Sequence, residues 1–273
     1  MTKTDLNVQL NVQLSNVLDR GIGYGEACFE TFRVIEGEVF ALDQHFSRLA
    51  DGLQSFGILL SKGNMESIRA QAIEHAAGIA DDVLVKVTVT GGIAEWGLIR
   101  NRDQQPEVYI QCMPYVPTFQ KIMLSTVEWP YATELKQAKF SSDYALSLRA
   151  TKQWEGEGLS EKMTPLICKN GLVLSGLTTN VLLYREGSWH TPDESNGGVL
   201  QGVVRNELVA ASVLTLSDCP VLWLDDCEAI GFTNSGVFIQ PASMVNSRKL
   251  NREHQAFEML YQVLRDKPGM PKL

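Results

Sequence analysis

The 273-residue chain is 44% hydrophobic and 21% charged, which is enough apolar material for one large domain or two modest ones. Its net charge of −8 argues against a nucleic-acid partner or an anionic membrane surface, although local arginines could still bind a small anion. The sequence has no signal-peptide segment and no apolar run of membrane-spanning length, and its five scattered cysteines lack a CxxC spacing. We therefore expect a cytoplasmic protein with reduced thiols and no metal cluster.

The first hundred or so residues alternate between strand and helix patterns. Alternating or β-branched runs predict strands, and apolar residues three and four apart predict helices. Strands are expected at 6–14, 29–34, 39–42, 83–90 and 108–112, with one helix capped by Asp43 and another over 64–77. Gly21, Gly23 and Gly25 occur at alternate positions without a strand–loop–helix unit, so we reject a dinucleotide-binding fingerprint.

Lys139 lies where an extended segment meets the next predicted helix. Ser141 and Asp143 are suitable N-cap residues for that helix. A lysine at such a junction is anchored through its backbone while its amine stays mobile, as a lysine that forms an imine with a carbonyl must be. The competing interpretation is an ordinary surface lysine at a strand end.

The second half of the chain alternates strand and helix less regularly. Asn170-Gly171 is a favoured type I′ pair and predicts a hairpin between 166–169 and 172–174. Further strands are expected at 180–184 and 237–240, and helices at 203–214 and 251–264.

Three separate segments could supply hydrogen-bond donors to an anion. Arg48 lies one turn inside the helix that follows Asp43. Gly202 immediately precedes a predicted helix, whose first amides would be available to an anion. The turn 233–236 carries hydroxyl and amide donors. Together these segments could hold a phosphate monoester, while each alone is also explained by ordinary surface or turn chemistry.

Pro114 and Pro117 mark a stiff connector in the middle of the chain. We place a small N-terminal domain at 1–113, the connector at 114–120 and a larger C-terminal domain at 121–273.

Seven sequence blocks follow one another from about residue 19 to residue 241: DRGIGYGEACFETFRV, HFSRL, a lysine after LKQA, NGLVLSGLTTN, TP, LQGVVR and TNS. In this order and spacing they resemble the fold-type IV pyridoxal-phosphate enzymes. That group includes class IV aminotransferases, 4-amino-4-deoxychorismate lyases, branched-chain aminotransferases and D-amino-acid aminotransferases. The resemblance implies an α/β (α+β) fold with a small α/β domain and a larger domain built on a β-barrel-like sheet with flanking helices. It also implies pyridoxal 5′-phosphate as cofactor, a small-molecule amine as substrate and a homodimer.

The resemblance also assigns roles to individual residues. Lys139 would form the covalent link to the cofactor, and Arg48 would bind its phosphate. Tyr144, five residues after Lys139, matches the tyrosine that hydrogen-bonds the cofactor's phenolic oxygen in branched-chain enzymes. The remaining phosphate contacts would come from the backbone amides of Val203 and Val204 and from the turn residues Asn234 and Ser235.

One position departs from the family pattern. Gly171 and Asn180 keep the frame Gly-x-x-x-Glu-x-x-x-x-Asn, which places Ser175 where the family has a glutamate paired with the pyridinium nitrogen. A hydroxyl cannot keep that nitrogen protonated as a carboxylate does, so the ring would withdraw electrons less strongly. Transamination would suffer most, because it must reprotonate the cofactor carbon, whereas an elimination that forms an aromatic product needs less assistance.

Three functions are consistent with the resemblance. The leading hypothesis is a 4-amino-4-deoxychorismate lyase-like enzyme that releases pyruvate and 4-aminobenzoate for folate synthesis. The second is an aminotransferase for branched-chain or D-amino acids, which Tyr144 supports and Ser175 opposes. The third is a homologue that binds the cofactor without catalysing a reaction. One departure opposes the lyase: the loop that in the lyases reads like Arg-Gly-Tyr is replaced here by GGIAEWGLIR, so the expected arginine for a substrate carboxylate is missing unless Arg100 takes its place.

Overall fold

The computed structural model describes residues 7–10, 18–101, 103–116, 121–134, 136 and 138–271. The described residues divide into two compact units. The first unit contains those within Met1–Val116, Gln137–Ala145 and Pro268–Pro271, and the second contains those within Pro117–Lys136 and Leu146–Lys267. The chain first changes unit inside the predicted connector 114–120. The segments at 137–145 and 268–271 group with the first unit, although the sequence boundaries placed them in the second domain.

Within the described residues, the first unit contains one sheet of five strands in the order β1-β5-β4-β2-β3. Its strands are β1 (Asn7–Leu10), β2 (Ala27–Ile35), β3 (Glu38–Val39), β4 (Asp82–Thr90) and β5 (Glu107–Pro114). Its helices are α1 (Arg20–Tyr24), α2 (Leu42–Ser55) and α3 (Lys62–Ala77). Strand β1 runs parallel to β5, and the other pairs are antiparallel. The part of the predicted 6–14 strand beyond β1 lies outside the described residues.

Side-chain alternation decides which face of this sheet is covered. Val83, Val85, Val87 and Val89 of β4 are fully buried in one apolar cluster with residues of α2 and α3, whereas Lys86 is exposed on the other face. This two-residue period is that of a strand with one fully covered face. Towards the end of β4, Thr88 and Thr90 are buried on the other face as well. The predicted strands 29–34, 83–90 and 108–112 are confirmed.

The start of α2 differs from the sequence prediction. Helix α2 begins at Leu42, and its N-cap is Ala41 in the left-handed region, with no side-chain cap. Asp43 therefore lies in the first turn rather than at the cap, and its carboxylate pairs with Arg69 at 2.6 Å. The prediction that Asp43 caps this helix is therefore wrong. A carboxylate is also favourable in the first turn, because it interacts with the helix dipole there.

The second unit is built on a curled half-barrel sheet with helices. Its described strands follow the order β11-β10-β9-β12-β13-β6-β7-β8, with β14 paired to β13. They are β6 (Ile122–Glu128), β7 (Thr164–Lys169), β8 (Leu172–Ser175), β9 (Asn180–Arg185), β10 (Ser188–Pro192), β11 (Leu214–Ser217), β12 (Ala229–Asn234), β13 (Phe238–Val245) and β14 (Arg248–Lys249). The helices are α4 (Asp143–Gly156, of which 143–145 belong to the first unit), α5 (Val203–Ala210) and α6 (Phe257–Leu264), with 3-10 helices at Glu194–Asn196 and Val221–Asp225.

Two predicted helices in this unit are too long. Helix α5 ends at Ala210 because Ser212 adopts a φ of +58°, and Leu214 already begins β11. Helix α6 begins at Phe257, since turns occupy most of 251–256. The Asn170-Gly171 hairpin is confirmed, with φ of +51° and +78° at the two turn residues as a type I′ turn requires.

The predicted fold class, a mixed α/β fold with a half-barrel sheet and helices, is confirmed. Within the described residues, no helix is both long enough and apolar enough to cross a membrane. All five cysteines fall in the described part of the chain, where none of them forms a disulfide, and four of them are buried.

Candidate active site

The backbone around Lys139 is held against strand β2 of the first unit. The amide of Phe29 donates to the carbonyl of Lys139 at 3.0 Å, and the amide of Ser141 donates to the carbonyl of Ala27 at 2.9 Å. Next to it, a Cβ on Gly52 would lie 2.6 Å from the Cβ of Ala138, so α2 can approach this segment only with glycine there. This pairing explains why residues 138–145 belong to the first unit.

The amine of Lys139 sits in a poorly solvated position. Its Nζ lies 5.5 Å from the centroid of the Phe29 ring, and Nζ of Lys86 lies 4.6 Å from the same ring. Burial lowers the pKa of Lys139 from 10.5 to about 8, with Glu30 opposing the shift and the cations of Arg48 and Lys86 adding to it. Within the described part of the chain, no carboxylate forms an ion pair with this amine. A fraction of the amine is therefore neutral, and nucleophilic, near neutral pH.

Arg48 is buried on α2 and is held by a carboxylate that the sequence reasoning missed. Glu30 of β2 is fully buried; its Oε1 accepts from Nε of Arg48 at 2.6 Å, and its Oε2 accepts from Nη2 at 2.8 Å. Nδ1 of His45 lies 2.7 Å from the same Oε2. Burial alone would raise the pKa of Glu30, but the hydrogen bonds from His45 and Arg48 outweigh it and lower the pKa to about 2.

A signal for this cluster was present in the sequence. Glu30 alternates along β2 with the core residues Cys28 and Phe32, so an acid occupies the covered face of a strand and requires a buried partner. The three-residue spacing of His45 and Arg48 places both on one face of a helix. Only the packing of α2 on β2 shows that these two patterns meet.

Tyr144 lies in the first turn of α4, and its ring packs edge-on against Phe29 with centroids 5.2 Å apart. Burial raises the pKa of its phenol. Phe29 is therefore the common neighbour of Lys139, Tyr144 and Lys86, a role that sequence reasoning did not assign to it.

Arg100 lies in the loop that follows β4. Its Nη2 donates to the carbonyl of Gln104 at 3.1 Å, whereas its buried Nη1 has no hydrogen-bond partner among the described residues. Burial lowers the pKa of its guanidinium, with Glu26 opposing that effect.

In the second unit, the N-terminus of α5 presents backbone amides without a side-chain cap. Its N-cap is Gly202, and Val203 and Val204 are buried. The side chain of Asn180 donates from Nδ2 to the carbonyl of Leu200 at 2.7 Å, and a Cβ on Gly202 would lie 1.9 Å from Asn180 Oδ1. Glycine at this position thus lets Asn180 hold the approach to the helix while the first-turn amides stay available for an anion.

The end of β12 and the turn that follows it carry the amide of Asn234 and the hydroxyls of Thr233 and Ser235. Asn234 uses its Oδ1 to accept from the amides of Gly236 and Val237 at 2.9 and 3.0 Å, so its side chain closes its own turn. Ser235 is half-buried in that turn. Oγ1 of the fully buried Thr233 has no hydrogen-bond partner among the described residues, which is costly unless a bound polar group accepts or donates there.

Ser175 is the last residue of β8 and is buried. The next residue, Gly176, donates its amide to the carbonyl of Thr179 at 3.0 Å, and a Cβ on Gly176 would lie 2.3 Å from Thr179 Oγ1. This tight turn joins Ser175 directly to Asn180 at the start of β9. The position of Ser175 is therefore fixed by backbone on both sides.

The first unit contains a buried lysine amine. The second unit, which is built on the half-barrel sheet, contains a helix N-terminus without a side-chain cap and a buried threonine hydroxyl without a hydrogen-bond partner among the described residues. The chain belongs to the class IV aminotransferase family, whose sequence profile, "Amino-transferase class IV", matches residues 27–245. Enzymes of this family depend on pyridoxal 5′-phosphate, which confirms the expected cofactor. The amine suits an aldehyde, and the amides and the hydroxyl suit a phosphate monoester.

Similar proteins include both aminotransferases and lyases. The chain is 25% identical to a putative branched-chain-amino-acid aminotransferase of Methanocaldococcus jannaschii over 253 residues, which is 87% of this chain and 85% of the relative. It is 24% identical to the aminodeoxychorismate lyase of Bacillus subtilis over 204 residues, covering 70% and 66% of the two chains. In structure it resembles a putative 4-amino-4-deoxychorismate lyase from Legionella pneumophila with a TM-score of 0.80 and 21% identity, over 95% of this chain and 98% of that one.

Proposed function

We propose that this protein is a pyridoxal-phosphate-dependent lyase that releases pyruvate from 4-amino-4-deoxychorismate and leaves 4-aminobenzoate. The observation that carries the proposal is that Ser175 is buried at the end of β8. By the resemblance of the sequence to the family pattern, this residue would stand where the family has a glutamate. The likeness to the aminodeoxychorismate lyase of Bacillus subtilis supports the same substrate.

Ser175 matters because of what the cofactor's ring nitrogen requires. When bound, pyridoxal 5′-phosphate supplies an aldehyde for the substrate amine and a ring that withdraws electrons from the amine-bearing carbon. A serine hydroxyl offers that ring nitrogen a hydrogen bond but no negative charge, so Ser175 does little to keep it protonated. The weaker electron withdrawal by the ring slows a reaction least when the formation of an aromatic product drives that reaction.

Lys139 has two tasks in this proposal. Its neutral fraction, present because its pKa is about 8, is the form that would link to the aldehyde of the cofactor. When the substrate takes its place, the freed amine of Lys139 would accept the proton from the amine-bearing carbon of the substrate. Arg48 is the candidate ligand of the phosphate in the first unit, the first amides of α5 and the hydroxyls of Thr233 and Ser235 are the candidate donors to a phosphate in the second unit, and Tyr144 would hydrogen-bond the cofactor's phenolic oxygen.

An aminotransferase for branched-chain or D-amino acids is the alternative. Tyr144 favours it, since the branched-chain enzymes place a tyrosine five residues after the lysine, and so does the likeness to the Methanocaldococcus protein. A homologue that binds the cofactor without turnover is the third candidate. For either enzyme, Arg100 is the proposed partner of a substrate carboxylate, because its Nη1 is buried and without a hydrogen-bond partner among the described residues.

Three measurements on the purified protein separate these functions. Aminodeoxychorismate is incubated with the protein, and pyruvate is followed through lactate dehydrogenase; separately, a panel of amino acids is tested for 2-oxo acid formation. The lyase releases pyruvate at a rate that Lys139→Ala abolishes. Formation of 2-oxo acids without pyruvate release from aminodeoxychorismate would reject the lyase in favour of the aminotransferase. An absorbance band that Lys139→Ala removes, with neither product formed, would indicate the non-catalytic homologue.

Ser175→Glu tests whether the residue at position 175 determines the preference for pyruvate release over transamination. Restoring the carboxylate should raise the ratio of transamination to pyruvate release, because the ring nitrogen is then held protonated. Ser175→Thr retains a hydroxyl and is the matched control. An unchanged ratio in Ser175→Glu would show that this residue does not determine the reaction.

We also propose that the protein is a homodimer. Trp96, Leu98 and Ile99 are 89%, 79% and 95% exposed, yet Arg20 fixes their loop by donating to the carbonyls of Gly97 and Leu98 at 2.7 and 3.1 Å. Exposed apolar side chains on a fixed loop are typical of an interface. Light scattering after gel filtration should give twice the chain mass for the wild type and a lower mass for Trp96→Ser/Ile99→Ser. A monomeric wild type would reject the dimer.

A further inference from the structure

We propose that Glu30 is a positioning residue that orients Arg48 for the phosphate of the cofactor. The inference rests on the proposed function, in which Arg48 contacts that phosphate. Glu30 itself touches neither the cofactor nor the substrate in this proposal; it acts through the guanidinium.

The contacts define the orientation of that guanidinium. Nε and Nη2 of Arg48 face the two carboxylate oxygens of Glu30 at 2.6 and 2.8 Å, which is the paired geometry of an arginine fork. Because the guanidinium is planar, two fixed nitrogens also determine the direction of Nη1. An arginine side chain without such a partner samples many rotamers and would lose that freedom only when it binds its ligand.

Glu30 is itself rigid. It lies in the middle of β2, between the backbone pairings to β4, and its side chain is completely buried. His45, one turn before Arg48 on α2, gives the carboxylate a further contact at 2.7 Å. The carboxylate is therefore fixed on strand β2 and contacted by two side chains of α2, those of His45 and Arg48. It holds the guanidinium of Arg48 in a fixed position relative to the sheet.

A purely structural ion pair that holds α2 on the sheet is the competing explanation. The two roles differ in how they respond to the ligand. A positioning role concerns only the phosphate, whereas a structural role affects every ligand of the site alike. Pyridoxal has the aldehyde and ring of pyridoxal 5′-phosphate but no phosphate, and comparing the two ligands isolates the phosphate contact.

The experiment measures dissociation constants of both ligands by absorbance titration for the wild type and for Glu30→Gln. We expect Glu30→Gln to weaken binding of pyridoxal 5′-phosphate by about ten- to a hundred-fold more than binding of pyridoxal, which is the range of one charged hydrogen bond. The charge of Glu30 also acts on the pKa of Lys139, but that effect is common to both ligands and cancels in the ratio of the two affinities. Glu30→Asp, which keeps the charge with a shorter reach, should show a smaller loss with the same selectivity. If Glu30→Gln does not fold, the experiment uses Glu30→Asp and compares its loss of affinity for pyridoxal 5′-phosphate with its loss of affinity for pyridoxal.

Asp82→Asn provides the matched control. Asp82 lies on the neighbouring strand β4 and also pairs through both oxygens with an arginine, Arg33. We expect it to change the affinities of the two ligands by equal factors. Equal losses of both ligands in the Glu30 variants, or no loss for pyridoxal 5′-phosphate, would overturn the positioning role. Failure of the wild type to bind pyridoxal 5′-phosphate or to release pyruvate would instead count against the proposed function.

Discussion

Replacing Lys139 by methionine should make the cofactor-free protein more stable near neutral pH, although it removes the candidate catalytic amine. In the folded protein the pKa of Lys139 is about 8, against an ordinary value of 10.5. The difference of roughly 2.5 pH units, at about 1.4 kcal/mol each, means that holding the charged amine in its desolvated position costs up to about 3.5 kcal/mol. Methionine has a similar length and carries no charge, so this cost disappears.

The stability difference between Lys139→Met and the wild type depends on pH, because the pKa of Lys139 differs between the folded and unfolded states. Below pH 8 the lysine is protonated in both the folded and unfolded states, and the folded protein bears the full cost. Between pH 8 and 10.5 the folded state releases its proton while the unfolded state keeps it, so the stability of the wild type rises with pH. The advantage of Lys139→Met should therefore be largest near pH 7 and should shrink by about 3 kcal/mol as the pH approaches 10.5.

Urea unfolding of both cofactor-free proteins at pH 7 and at pH 10 measures the difference directly, since all other titrating groups are common to the two proteins. Lys62→Met is the control, because the side chain of Lys62 is 93% exposed. The difference in unfolding free energy between Lys62→Met and the wild type should not change with pH. A stability difference between Lys139→Met and the wild type that stays constant from pH 7 to 10 would refute the argument that this amine is desolvated.

Three further predictions concern stability. Gly202→Ala should cost about 1–3 kcal/mol in urea unfolding, because its Cβ would lie 1.9 Å from Asn180 Oδ1, whereas Gly23→Ala, with no atom within 4 Å of the new Cβ, should be neutral or slightly stabilising; equal costs would contradict the packing. Glu30 has a pKa lowered to about 2, so its stabilisation is present above pH 4.5 and is lost as the pH falls towards 2. The unfolding free energy of Glu30→Gln should therefore approach that of the wild type as the pH falls from 4.5 to 2. A difference that stays constant over this range would argue against a buried ion pair. Asn170→Ala should lose about 1 kcal/mol, since its φ of +51° strains alanine, and Asn170→Gly should not; no loss in Asn170→Ala would mean that the turn relaxes.

Local patterns in the sequence were sufficient for the elements whose structure depends on near neighbours. The alternation of valine with polar residues through β4 predicted both the strand and its buried face, and Asn170-Gly171 predicted a turn whose two residues both need positive φ. Lys139 was identified because a strand pattern meets a capping pattern there, and the order of the motifs identified the family. Helix ends were less predictable, since the end of α5 depends on Ser212 and on the pairing of β11 with β10.

Tertiary structure alone decided which groups meet within each unit. Glu30 and Arg48 are eighteen residues apart and lie on different elements, and nothing in their spacing indicates that one carboxylate engages both Arg48 and His45. The depressed pKa of Lys139 likewise follows from burial beside Phe29, to which its own segment is tied by backbone hydrogen bonds. Periodicity reports the few residues around each position, whereas desolvation and ion pairing depend on which surfaces the folded chain brings together.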